Sequence, residues 1–444
     1  MQTSREIFGS RIGVVLTTIG VAVGLGNVWR FPYMTGRYGG AAFVAFYLLV
    51  VAVIGVPALV AEFALGRHTR RGTVGAFERS GLPGGRRIGW FFFAVVAAAT
   101  AYYTNVIGWV IWHAVAEAAG MIGRLVISGA PLPPDTGISL RALVLQMLLT
   151  TCVIGACAWV LHAGVRRGIE RASRWITPAL FAALVVLIVR GITLPGAWSG
   201  IEWYLLDVRF EDLDASVMVA AMGQAIFSLS LGGTFMVVYG SYLGEDVDLR
   251  RIAVWTAAGD TLAGLLAGLA IFPVVFAAGI EPSSGPSLLF STLPRVFAEI
   301  PAGPLFGLLF YSGLSGAALL SAIAAFEVLV AGISDNTSMP RSRAIPIVAV
   351  LVFVLAVPPM INMRIFVGWD LTFGSGMQTL GALLAVLAVG WTMERSTALE
   401  EISKGGAPAH PWLLAWLRYV IPIACVLTGV WWFLTDAMGL FGGA

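Results

Sequence analysis

Long apolar runs separated by short polar stretches make up most of this chain, and eleven of them are long enough to cross a bilayer as helices. They lie at about 12–36, 41–66, 88–119, 140–162, 173–191, 215–243, 252–279, 304–333, 344–360, 370–394 and 409–435. Two runs are interrupted. The first carries Gly20, Gly24 and Gly26, followed by Asn27 and, just beyond, Arg30. Glycine costs about 1 kcal/mol against alanine inside a helix, so the pattern predicts a break near Val23-Gly24-Leu25. Backbone groups freed at that depth survive only if they are buried in protein or line a wet cavity. Open carbonyls there suit a bare cation, and the amides that start a second half-helix suit an anionic group. Gly20 and Gly24 also fit the spacing of close helix packing; the polar Asn27 and Arg30 tip the reading toward a site. The sixth run carries a second interruption, Gln224-Ala225-Ile226-Phe227-Ser228-Leu229-Ser230-Leu231-Gly232-Gly233-Thr234, five runs after the first. Breaks at matching places in two five-helix halves predict an inverted repeat with a central site.

Composition narrows the class. Of 444 residues 58% are hydrophobic and 11% charged, which excludes a soluble domain and predicts an all-α integral membrane protein, with residues 1–435 as one transmembrane domain. Arginines crowd alternate loops: Arg67, Arg70, Arg71, Arg79, Arg86 and Arg87, then Arg166, Arg167, Arg171 and Arg174, then Arg341 and Arg343. The opposite face holds Glu202, Asp207, Glu211, Asp212 and Asp214. The positive-inside rule then predicts a multi-pass protein of the cell (inner) membrane, its N-terminus cytoplasmic and, after eleven crossings, its C-terminus outside. Met1 to Arg11 is polar and the run after it too long for a cleavable signal peptide. Cys152, Cys157 and Cys425 lie in apolar runs and read as small buried hydrophobes. The link 280–303, with Pro282, Pro286, Pro294 and Pro301, predicts a re-entrant or capping hairpin over the outer mouth.

Three carboxylates, Glu62, Asp260 and Glu327, interrupt apolar runs. Each costs at least ~2.5 kcal/mol at the bilayer centre, so each needs a function or a partner. Asp260, flanked by Thr256 and Thr261, offers the oxygen set of a hard-cation site. Arg30 and Asp370 stand at one end of their runs, Arg5 and Asp335 at the other, as candidate gate pairs. Four histidines, none in a ligand pair, and no nucleophile–base constellation argue against an enzyme. Nothing in the charge pattern points to nucleic acid.

Together these residues resemble the neurotransmitter:sodium symporter family, specifically its bacterial amino-acid transporters with eleven helices. The resemblance rests on Gly24-Leu25-Gly26-Asn27-Val28-Trp29-Arg30-Phe31-Pro32, on Glu62 to Arg67, on Ala101-Tyr102-Tyr103, on Gln224 through Gly233, and on Gly168 with Pro178. It implies a LeuT-type 5+5 inverted repeat with discontinuous helices 1 and 6, repeat one at about 11–191, repeat two at about 215–394, and one extra C-terminal helix at about 409–435. It associates Gly168 and Pro178 with unwinding of the fifth helix. It implies a first Na⁺ site from the Ala22 carbonyl, Asn27, Ser228 and Asp260, completed by the substrate carboxylate. A second Na⁺ site would use the carbonyls of Gly20, Val23 and Ala317 and the hydroxyl of Ser321. Leu320 stands there in place of the family's hydroxyl or carboxylate, so this site should be weaker.

The resemblance further implies a small-molecule amino-acid substrate. The amides near Leu25 and Gly26 and the Tyr103 hydroxyl would hold its carboxylate, and carbonyls near Ala22 and Phe227 its ammonium. Gly24, where monoamine carriers of the family place an acid, favours a substrate with its own carboxylate. Val21, Ala99, Phe227, Ser228, Ser230, Gly233, Ser321 and Ala325 would surround the side chain. Ala99, Gly233 and Ala325 are small, so a roomy pocket for a large apolar or aromatic residue is expected. Chloride is not expected, because Asp260 supplies a fixed charge and Gly264 has no hydroxyl. Binding would close Arg30–Asp370 while Arg5–Asp335 opens, with Phe8, Ser241 and Tyr242 in the inner latch. A proton-coupled carrier or exchanger on the same scaffold, a channel, and a non-transporting sensor are the rival readings; oligomeric state is not encoded legibly.

Overall fold

In the computed structural model, residues 8–121, 132–282 and 288–437 are described, and all their regular structure is helical. Among the described residues nine helices are long and apolar enough to cross a membrane, and the bent pair Arg11–Ala22 and Gly26–Arg37, taken as one span, makes a tenth. The unbroken spans are Ala41–Thr69, Gly85–Met121, Leu140–His162, Val165–Ile192, Leu249–Ala277, Gly303–Asn336, Arg341–Met360, Met363–Thr392 and Pro411–Thr435. The sixth run folds as two helices, Ala215–Ser228 and Phe235–Gly240, each too short to cross alone. The order therefore follows the eleven apolar runs, with breaks in the first and the sixth.

Polar side chains start some of the helices. Ser10 accepts from the Gly13 amide and Asp214 from the Val217 amide, groups that otherwise lack a partner in a first turn. The Ser216 hydroxyl and the Val217 amide hold the Asp214 carboxyl below its usual range. The fifth span begins at Val165, well before the expected 173. Glu170 explains the extension: it accepts from Gly9 N at 3.0 Å, Ser10 Oγ at 3.1 Å and Arg174 Nη2 at 2.7 Å, anchoring this end against the first span. The stretch around Gly168 is wound as a wide helical turn, Val165–Glu170, rather than opened.

Lipid does not drive helices together as water does, so close packing depends on small residues. Gly66 of the second span and Gly240 of the sixth let two backbones touch. A Cβ on Gly66 would fall 1.8 Å from the Val237 carbonyl oxygen, and one on Gly240 2.6 Å from that of Phe63. The eighth span packs along the third and fifth, and the seventh along the fifth and the first half of the first. Trp159, Trp175, Leu148 and Val350 point outward, as expected of side chains facing lipid.

Each face is closed differently. On the face carrying the acidic loop, Leu288–Thr292 and Leu293–Glu299 form the capping segment expected in 280–303; Pro286 lies outside the described residues. Phe290 packs there on Trp29, Trp109 and His113 with ring centroids 5.7, 5.9 and 5.3 Å away. On the arginine-rich face, buried Arg67 pairs with Glu401 at 2.6 Å and donates to the Val247 carbonyl at 2.6 Å. Burial raises the Glu401 carboxyl, but Arg67 and Lys404 outweigh it and leave the group below the usual carboxylate range.

Candidate functional site

The first span stops at Ala22, extends at Val23 (φ −72°, ψ 118°) and resumes at Gly26 with a bend of 52°. Asn27 folds back across the gap, its Oδ1 accepting from Gly24 N at 2.9 Å. The Leu25 amide donates to the Tyr103 hydroxyl at 3.3 Å. Gly24 is required here: a Cβ would lie 2.6 Å from Ser321 Oγ and 2.7 Å from the Tyr103 hydroxyl. The sixth span unwinds between Leu229 and Thr234. Ser230 (φ 54°), Gly232 (φ 79°) and Thr234 (φ 58°) are all left-handed there, a conformation that costs roughly 1–2 kcal/mol for a residue with a side chain. Buried Glu62 offsets that cost by accepting from Gly232 N at 2.6 Å, and Thr73 bonds Thr234 at 2.7 Å.

Between the two breaks sits a polar cluster. Asn27 Nδ2 donates to Ser228 Oγ at 3.0 Å, to the Asp260 carboxylate at 2.7 Å and to the Asp260 carbonyl at 2.9 Å. Ser228 Oγ donates to the other Asp260 oxygen at 2.8 Å, and Tyr47 faces the same group. Asn27, Ser228 and Asp260 are fully buried. Three spans thus converge on one point rich in hard oxygen, the ligand type of alkali and alkaline-earth cations. Beside the Asp260 carboxylate the side-chain oxygens gathered here are the neutral ones of Asn27 and Ser228.

A cavity of about 60 Å³ adjoins the cluster, lined by Val21, Ala22, Gly24, Gly26, Ala99, Thr100, Tyr102, Tyr103, Phe227, Ser230, Phe235, Ser321, Ala325 and Gln378. Tyr102, Tyr103 and Phe227 separate it from a larger cavity of about 520 Å³ that also holds Leu25, Trp29, Arg30, Tyr33 and Asp370. Arg30 and Asp370 therefore share a space without closing an ion pair. The Arg30 guanidinium carbon lies 4.2 Å from the Phe227 ring centroid instead. Asp370 meets the Tyr102 hydroxyl over Gly374.

Two expectations are corrected. Neither Gly233 nor Ser228 lines the cavity, and the pocket is not roomy. The Phe235 ring passes 2.1 Å from where a Gly233 Cβ would stand, so Phe235 fills the space Gly233 leaves. Phe235, Thr100 and Gln378 are lining residues that reading the chain overlooked; left-handed Thr234 turns Phe235 back toward the cavity.

Around the expected second cation site, Ser321 Oγ donates to the Val21 carbonyl at 3.2 Å and to that of Val23 at 3.1 Å. Leu320 and Ala317 are buried, and Leu320 Cδ1 packs on Gly20, 3.0 Å from its missing Cβ. Two hydroxyls not anticipated, Thr177 at 3.0 Å and Ser173 at 3.4 Å from the same point, face Gly20 from the fifth span. Glu327 is explained by a partner, since Arg341 and Tyr242 both bond its carboxylate.

At the arginine-rich end, Asp335 accepts from Gly72 N at 2.6 Å; Arg5 lies outside the described residues. Phe8 packs on Tyr242 and Tyr239 with ring centroids 6.1 and 6.2 Å apart. The Ser241 carbonyl accepts from Arg70 at 3.3 Å.

Comparison with known proteins places this geometry among relatives. A family model described as the Sodium:neurotransmitter symporter family matches residues 5–120 and 137–436. A Bacillus subtilis protein named uncharacterized sodium-dependent transporter YhdH is 32% identical over 443 residues, covering 95% of this chain and 96% of its own. The sodium-dependent dopamine transporter of Bos taurus is 27% identical, covering 94% of this chain and 67% of its own. The crystal structure of MhsT in complex with L-phenylalanine matches with a TM-score of 0.86 at 33% identity, covering 96% of this chain and 99% of that one.

Proposed function

The chain belongs to the sodium:neurotransmitter symporter family, and we propose that it is a sodium-coupled symporter importing an amino acid by alternating access. The family comprises transporters, not enzymes, and the fold is the LeuT-type one, all-helical and multi-pass. The observation that carries the reading is the buried meeting of Asn27, Ser228 and Asp260 between two broken helices, beside a cavity edged by the Leu25 amide and Tyr103. With its amide turned, Asn27 offers an oxygen to Na⁺ alongside Ser228, Asp260 and the Ala22 carbonyl. The cation offsets the desolvation of the Asp260 carboxylate, which makes the ion part of the binding equilibrium.

The substrate carboxylate is held at the start of Gly26–Arg37 by the Leu25 and Gly26 amides and Tyr103, where the half-helix dipole favours a negative group. Its ammonium meets carbonyls near Ala22 and Phe227. The apolar side chain lies among Val21, Ala99, Phe227, Ser230, Ser321 and Ala325; a large or aromatic one fits when Phe235 turns away. That MhsT was solved with L-phenylalanine supports an amino-acid substrate of this size. A second Na⁺ is held more weakly by Gly20, Val23, Ala317 and Ser321, with Thr177 the nearest hydroxyl to make up for Leu320. The arginine-rich face is cytoplasmic in the cell membrane, and the C-terminus lies outside. Closure brings Arg30 from Phe227 to Asp370, while Arg5 and Asp335 part on the other side. Repeat one spans about 11–191 and repeat two about 215–394.

Uptake into proteoliposomes, with and without a Na⁺ gradient and against a panel of amino acids, tests this. Accumulation of an apolar amino acid only with the gradient is expected. Equal accumulation without Na⁺ would shift the reading to a sodium-independent exchanger.

A further inference from the structure

The central cavity carries a polar group that the symport reading leaves idle. Its hydroxyls are engaged: Thr100 donates to the Val96 carbonyl at 2.7 Å, and Ser230 to that of Val21 at 3.4 Å. Ser321 donates to the Val21 and Val23 carbonyls at 3.2 and 3.1 Å. Tyr103 accepts from the Leu25 amide, and Tyr102 meets Asp370. Gln378, from the tenth span, lines the same cavity, yet its Oε1 is buried with no hydrogen-bond partner among the described residues. A buried carbonyl without a donor costs stability, and in a ligand cavity a few such polar groups decide which ligand is preferred.

The main chain fixes Gln378 opposite the break in the sixth span. A Cβ on Gly232 would fall 1.7 Å from the Gln378 carbonyl oxygen, and one on Gly381 2.0 Å from the Gly232 carbonyl oxygen. The two backbones therefore touch, and the tenth span has no freedom to carry Gln378 away. Phe227 and Gln378 also line a second cavity toward the acidic face, so both belong to the wall between the two. We propose that Gln378 selects, among aromatic amino acids, those whose ring carries a hydrogen-bond donor, the indole N–H of tryptophan or the phenol O–H of tyrosine. This rests on the reading of the cavity as an amino-acid site. A ring laid along Phe227, admitted when Phe235 turns away, brings its far edge to that wall. A donor there meets Oε1, whereas phenylalanine leaves the acceptor unpaired. Apolar walls discriminate weakly between rings of similar size; an unpaired acceptor discriminates by chemistry.

Displacement of radiolabelled leucine from the purified full-length protein in Na⁺ tests this with ligand pairs of one shape. Tryptophan is set against benzothienylalanine, in which sulfur replaces the N–H, and tyrosine against para-methylphenylalanine, in which a methyl replaces the hydroxyl. The donor-bearing member of at least one pair should bind about fivefold or more tighter to wild type. Gln378→Met, which keeps the length and removes the amide, should erase that difference by weakening the donor-bearing member, with its analogue unchanged within twofold. A merely structural role would weaken both members alike and leave their ratio standing. Gln378→Leu takes its place if the methionine variant does not fold. Preference in the tryptophan pair alone, or in the tyrosine pair alone, names the ring and supports the role of Gln378. Wild type that binds the members of both pairs equally, or favours the analogues, overturns the inference without any variant. A preference that survives in a folded variant overturns it too. Leucine that binds while the pairs stay equal sinks this inference alone; no amino-acid binding at all sinks the symport reading and this inference with it.

Discussion

Asn27 donates to the Asp260 carboxylate at 2.7 Å, tying the broken first span to the unbroken seventh across the centre of the protein. With Ser228 bonded to the second carboxylate oxygen, the charge of Asp260 is held by neutral dipoles alone within the cluster. Asp260→Ala should therefore cripple Na⁺-dependent substrate binding, raising the Na⁺ concentration for half-maximal binding at least tenfold in a protein that stays monodisperse. Superimposable Na⁺ titrations for wild type and variant would take Asp260 out of the site.

Chloride should be dispensable for transport. Asp260 supplies a fixed negative charge beside the bound cation, and Gly264, one turn further on, packs against the Phe31 ring with no hydroxyl to hold an anion. Uptake should be unchanged within twofold when gluconate replaces chloride, and its collapse would show that an anion is bound after all.

The second cation site lies between Leu320 on one side and Thr177 on the other. Leu320→Thr should increase apparent Na⁺ affinity severalfold, because a hydroxyl replaces a methyl against Gly20. Thr177→Val should decrease it. If both substitutions leave the titration where it was, no second ion binds at Gly20.

Phe235 should set the size limit of the pocket. Phe235→Ala frees the space beside Gly233, and since a lost or gained methylene is worth about 1–3 kcal/mol, preference for tryptophan over alanine should grow by about tenfold or more. Competition binding with glycine, alanine, leucine, phenylalanine and tryptophan measures this. Gly233→Phe, which displaces the Phe235 ring, should favour smaller substrates. A wild type that prefers glycine or alanine would overturn the pocket assignment.

Acid should loosen the arginine-rich face. The Glu401 carboxyl sits below its usual range, so its contribution is complete above the unfolded value near 4.3 and is lost as pH falls through the folded value. The melting temperature should hold steady from pH 7 to about pH 5 and decline below, more steeply in wild type than in Glu401→Gln. Parallel curves would mean that other carboxylates control acid unfolding.

The broken helices were legible in the chain because Gly24, Gly26, Asn27 and the stretch Ser228 to Gly233 are costly at membrane depth, and cost marks a position. Asp260 stood out on the same ground. Phe235 did not, because an aromatic residue in an apolar run carries no such signal, and only left-handed Thr234 turns it inward. The Arg67–Glu401 pair escaped for a different reason: its partners are 334 residues apart, and each alone reads as an ordinary loop charge. Thr177 was hidden by its own helix, where a hydroxyl normally bonds backward. Here it reaches the first span, its Oγ1 3.5 Å from the Leu16 carbonyl.

Gly66 touches neither ligand nor ion, yet its bare backbone lies against the Val237 carbonyl, where even one methyl has no room. In the same helix, one turn earlier, Glu62 holds the amide of Gly232 at the centre of the unwound sixth span. A methyl at position 66 would wedge these two helices apart and pull that hold out of register. A genetic screen would then score the position as if it belonged to the binding pocket. Inheritance of a defect at Gly66 would trace spacing rather than recognition, and a second-site suppressor would be sought at Val237 or Gly240, on the facing helix, before any residue that meets the cargo.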